Sequence, residues 1–80
     1  MAAPPITASH AIDHCTQIIA SRCPDLADRC AALRGYVRQK DEKMAAEYIR
    51  LTHAISTSAW NKFSMLEQRQ IMSLVELLRD

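Results

Sequence analysis

The sequence predicts an all-α fold, a small bundle of three to four helices, and three observations carry that prediction. Leu26, Cys30, Leu33, Val37, Met44, Tyr48, Leu51 and Ile55 recur at steps of three, four and seven, so one apolar stripe stays in helical phase throughout. No long alternation of apolar and polar residues marks a strand. A single glycine, Gly35, and three prolines, Pro4, Pro5 and Pro24, leave almost no turn chemistry for hairpins.

The stripe organises the rest of the chain. Residues 38–42 (Arg38, Gln39, Lys40, Asp41, Glu42) are polar but contain neither Gly nor Pro, and the stripe resumes after them in register. The pattern therefore predicts one long central helix over about 24–55, with a two-helix hairpin turning at this polar waist as the rival. Gly35 is the weak point of the continuous helix, since Gly is less favourable than Ala in a helix interior by about 1 kcal/mol; alternatively it lets a neighbouring helix come close. Asp25 before Arg29, Arg38 before Glu42 and Lys43 before Glu47 are spaced as solvent-side ion pairs on such a helix.

The flanking elements follow from local signals. Residues 1–7, with their Ala-Ala-Pro-Pro run, predict a flexible N-terminal arm, because X-Pro steps favour extended backbone. Thr7 or Ser9 is placed to cap a first helix whose face is Ile12, Cys15, Ile18 and Ile19. Pro24 suits a first helical position and marks a sharp reversal after Cys23, with Asp25 and Asp28 at the positive end of the helix dipole. Ser56, Thr57 and Ser58 compete for backbone hydrogen bonds and should end the long helix. Ala59 to Phe63 form a short turn presenting Trp60 and Phe63. Ser64, Met65, Leu66 and Glu67 then spell a capping box, the clearest local signal in the chain. In the helix it opens, Leu66, Ile71, Leu74, Val75 and Leu78 are expected on one face. The first and last helices fold back antiparallel on the two halves of the central one, giving a single helical domain over 1–80.

Eighty residues support only a marginal core. A thin layer built on a long helix leaves Ile18, Ile49, Met72 and Leu77 without an intrachain partner, and a second copy or another protein is the usual cover. A homodimer or a complex is therefore expected; a turn at the waist gives instead a compact antiparallel four-helix bundle, in which the same residues can close a monomer core. The net charge of +1 provides no global field for nucleic acid or anionic membrane. No signal peptide and no apolar run of about 20 residues is present, so no membrane is involved and the predicted location is cytoplasmic. Three cysteines, an odd number, suit reduced thiols better than a closed disulfide framework.

His10 and His14 stand four apart beside Cys15, half a metal site, but Cys15 points about 100° away from His14 and a solvated histidine pair is preferred. Cys15 and Cys30 can approach across the Pro24 reversal; packing as small hydrophobes is preferred, with Cys23 at the turn as the reactive thiol. No cofactor, no metal and no catalytic residues are predicted, and no enzyme, because nothing glycine-rich holds phosphate and an all-helical chain this short encloses little volume.

The predicted function is that of a small non-enzymatic protein-binding module, a regulator or inhibitor that occludes or scaffolds a partner protein, of a type common in phages and plasmids. Trp60, Phe63, Ile49, Met72 and Leu77 are its candidate contact residues, the two aromatics serving equally well as a plug for the end of the bundle. The alternative is a small DNA-binding transcriptional regulator using a basic helical face of Arg34, Arg38, Lys40 and Lys43.

Overall fold

The computed structural model describes residues 8–79. The N-terminal arm expected at 1–7 and its Thr7 cap lie outside them. Five α-helices are present: α1 (Ala8–Arg22), α2 (Ala27–Arg38), α3 (Met44–His53), α4 (Thr57–Trp60) and α5 (Met65–Leu78). Among the described residues there is no strand, and the all-α bundle read from the sequence is the observed architecture. Ser9 lies inside α1 rather than capping it.

Pro24 reverses the chain as its position implies. It opens a short 3-10 turn, Pro24–Leu26, in which the Leu26 N–H donates to the Cys23 carbonyl at 2.9 Å, and the turn runs straight into α2. Ser56 and Ser64 start the two later helices. The Ser56 hydroxyl accepts from the Ala59 N–H at 3.2 Å. At Ser64 the capping box is complete: its hydroxyl accepts from the Glu67 N–H at 3.1 Å and its own N–H donates to Glu67 Oε1 at 2.9 Å.

The long central helix is corrected. Its waist is a turn, so α2 and α3 are separate helices. Lys40 adopts φ 54°, the only positive φ at a non-glycine residue among those described. The Asp41 N–H reaches the Tyr36 carbonyl at 2.9 Å and the Lys40 N–H reaches the Val37 carbonyl at 3.1 Å. This pair of bonds is the Schellman closure of a helix, which usually has Gly at the left-handed position. Asp41 then makes an Asx turn ahead of α3, accepting the Lys43 N–H on Oδ1 at 2.9 Å. The stripe keeps its phase across the break because both helices turn toward the same core, with Cys30 and Leu33 buried on α2 and Tyr48 and Leu51 on α3. The break also removes the Arg38–Glu42 pairing, since Glu42 is no longer helical. Among the described residues the ion pairs are Arg22–Glu67, Arg34–Asp13 and Arg50–Glu47, which bypass the other two spacings as well.

Because the chain turns at Lys40, the molecule is not a thin layer. α1 packs against α2, α3 and α5, and α3 against α2 and α5. Ile12, Ile19, Leu33, Leu51, Phe63, Ile71, Leu74 and Val75 form one core around Tyr48. Tyr48 is wholly buried and donates its hydroxyl to the Ile71 carbonyl at 3.0 Å. One residue earlier in α5, the Gln70 carbonyl faces the Cys15 thiol at 3.9 Å. Consecutive carbonyls of α5 are thus met by side chains from α1 and α3, which sets how the three helices lie on one another. Gly35 admits no close helix: a methyl group built there meets nothing within 4 Å.

Candidate functional site

α5 carries more apolar surface than its neighbours cover. Ile71, Leu74 and Val75 are buried on its inward side. Met65 (76% exposed), Leu66 (65%), Met72 (44%) and Leu77 (67%) are open. Scattered exposed apolar residues are ordinary, but four on one helix of 14 residues form two patches. On a helix of 3.6 residues per turn, Leu66, Gln70, Ser73 and Leu77 fall in one stripe, and Met65 and Met72 fall on the other side of the buried face.

The first stripe forms one wall of a groove of about 750 Å³, with His10, Ala11 and His14 of α1 as the other. Leu66 belongs to this groove and not to the inward face. It precedes Ile71 by five residues, well over a third of a turn out of phase, so the sequence assignment to that face is corrected. Its four-residue spacing from Gln70 was the signal that could have placed it.

The second side lies beside α4. The Gln68 carboxamide, one turn from Met65 and Met72, donates to the Trp60 carbonyl at 2.9 Å. Trp60 and Phe63 stack at a tilt, with ring centroids 5.5 Å apart and planes at 49°. They do not share one role: Phe63 is buried in the core, while Trp60 is half-buried at its margin. Ile49 and Ile18 are likewise half-buried against the core. Of the five expected contact residues, Met72 and Leu77 are the openly exposed ones, on opposite sides of α5, and Met65 and Leu66 were missed because their neighbours in sequence read as a helix start.

The basic residues are divided. Arg34 Nε donates to Asp13 Oδ1 on α1 at 3.0 Å, and with Arg38, Ser9, His10 and Val37 they line a shallow depression. Lys40 and Lys43 belong to the turn between α2 and α3, interleaved with Asp41 and Glu42. The pairing of Arg34 and the two acids in the turn break up the continuous basic face that the sequence suggested.

The titratable interior is quiet. All three cysteines are free and buried. Burial raises the pKa of each thiol, assisted at Cys23 by the Asp25 carboxylate. Cys23 is therefore not the accessible thiolate that its place at a turn implied, since nucleophilic thiols need exposure and a lowered pKa. Burial, and next the Cys15 thiol beside it, also raises the pKa of the Tyr48 phenol, which stays a hydrogen-bond donor. At the surface Glu67 is held below the usual glutamate range, chiefly by the Ser64 N–H and then by Arg22, whose guanidinium donates to it at 3.2 Å. Among the described residues no three His, Cys, Asp or Glu side chains gather as a metal site, and no helix is long and apolar enough to cross a membrane. Compared with known proteins, the chain matches no family model, no curated sequence and no solved structure.

Proposed function

We propose that this chain is a non-enzymatic protein-binding module, a regulator or inhibitor that occludes or scaffolds a partner protein and works as a homodimer in the cytoplasm. The observation that supports the reading is the pair of open apolar sides on α5. The Met65 and Met72 side, next to Trp60, suits a heterologous partner: thioether side chains repack against varied surfaces, and a half-buried Trp supplies a rigid anchor. The free thiols fit a reducing compartment.

A tagged pull-down from the lysate of its native cell tests this, run with and without nuclease and repeated with Met72→Asp. One protein recovered near stoichiometrically, indifferent to nuclease and lost with Met72→Asp, is the expected result. Recovery of DNA, lost progressively with salt through counterion release, overturns it and moves the function to Arg38, Lys40 and Lys43.

A further inference from the structure

The stripe on the groove side of α5 reads the same in both directions. Leu66, Gln70, Ser73 and Leu77 are spaced four, three and four, apolar at the ends and polar in the middle. That is the spacing of a coiled-coil seam, in which such positions alternate along one line of contact. Symmetry of this kind has a direct consequence for self-association, because a twofold axis brings each surface onto itself reversed.

We infer that this stripe is the homodimer seam, occupied by α5 of a second copy running antiparallel about a twofold axis between Gln70 and Ser73. The inference rests on the homodimer reading and specifies its interface. With the axis there, Leu66 meets the partner's Leu77 and Gln70 meets the partner's Ser73, each contact occurring twice. The carboxamide and the hydroxyl both donate and accept, so the polar centre can be satisfied across the seam. A polar pair at the middle of an apolar seam fixes its register.

Charge selects the orientation. Arg69 and Glu76 border the stripe on its solvent side, and neither forms an ion pair among the described residues. An antiparallel copy sets Arg69 against the partner's Glu76 at both ends. A parallel copy sets this flank against the partner's other flank, where Arg69 and the partner's Glu76 do not meet. Ala11 and His14 of α1 provide the second wall, so the incoming helix packs between two helices in the groove of about 750 Å³. The Met65 and Met72 side stays outside this contact, and the dimer presents two copies of it.

Sedimentation equilibrium of the full chain across the micromolar range tests the seam, with circular dichroism confirming that each variant is folded. The wild type is expected at the dimer mass, and Leu66→Asp at the monomer mass with its helix content intact. Arg69→Glu and Glu76→Arg should each weaken self-association roughly tenfold, as two exposed pairs turned repulsive imply. Mixing these two variants should restore a dimer, since every acidic edge then meets a basic one, and the rescue should fade at high salt. A monomeric wild type overturns both the seam and the homodimer reading. A dimer indifferent to Leu66→Asp and to both charge variants overturns the seam alone. Weakening without rescue in the mixture overturns the antiparallel register.

Discussion

The inward face of α5 and its two outward sides carry the same kinds of side chain in opposite circumstances. Inside, Ile71, Leu74 and Val75 are covered by α1 and α3 and flank a phenol whose hydroxyl is satisfied. Outside, two leucines and two methionines meet water. Hydropathy alone does not sort them. The phenol of Tyr48 is buried as fully as Ile12, Ile19 and Ile71 because a backbone carbonyl receives its hydroxyl, and leucines are exposed because α1 and α3 each span only part of the circumference of α5. The inner face holds the fold together, while the outer sides are free to serve association.

The largest expected effect is on the inner face. Tyr48→Ala should cost about 3–5 kcal/mol in chemical denaturation, as for other buried aromatics truncated to Ala. Tyr48→Phe keeps the ring and removes one buried hydrogen bond, for about 1 kcal/mol. If Tyr48→Phe instead proved as damaging as Tyr48→Ala, the hydroxyl and not the packing would dominate the inner face.

Two changes remote from α5, one in the turn after α2 and one inside α2, should sharpen the contrast by strengthening the fold without touching the outer sides. Lys40→Gly relieves a left-handed residue, worth about 1 kcal/mol after the added chain entropy of Gly. Gly35→Ala fills open space in a helix interior and should gain about as much. Thermal melts that rise in both variants, with unchanged self-association, are the expected outcome; a fall for Lys40→Gly would mean that the turn is not where α2 must end.

Leu77→Asp, on the outer side, should alter stability by less than about 0.5 kcal/mol, as exposed substitutions generally do. Its effect should appear in binding instead. A large loss of stability in the isolated monomer would erase the distinction between the two sides.

The smallest effect concerns acid. Glu67 has a depressed pKa in the fold, so its contribution is present above the ordinary glutamate value and is lost as pH falls through the folded one. Glu67→Gln should lower stability slightly in the neutral region, where the charged form contributes, and match the wild type at low pH, so that the acid limb of a stability-against-pH curve is flatter. An acid limb that matched the wild type would assign the acid sensitivity to other carboxylates.

Where residue type dictates geometry, the fold was legible. Pro24 imposes a reversal, and Ser64 with Glu67 satisfies helix-end amides that the backbone alone cannot, so both boundaries followed from the sequence. The end of α2 was not legible for the converse reason. Lys40 occupies a position that Gly normally marks, and the local cue, Asp41 accepting a backbone N–H two residues on, resembles any solvent-side Asp. The apolar phase misled as well: seven residues from Val37 to Met44 equal two helical turns, so two helices facing one core imitate one helix. At the candidate site Met72 and Leu77 followed from periodicity. Leu66 did not: five residues from Ile71, it belongs in phase with Gln70, Ser73 and Leu77, and its place inside the capping box conceals that phase. The burial of Phe63 depended on a tertiary contact that no local pattern encodes.

The meeting of α1 with α5 also bears on how the chain is made. Ile12, Cys15 and Ile19 are synthesised well before the helix that begins at Met65, which is part of their cover. Neither Tyr48 nor Cys15 has its carbonyl acceptor until Gln70 and Ile71 have been synthesised. The side of α1 that α5 covers therefore stays open until α5 is made, a binding face for chaperones, and fixed packing waits for α5. A chain stopped before Met65 is expected to keep helix signal in the far ultraviolet while losing the near-ultraviolet signature of an immobilised Tyr48.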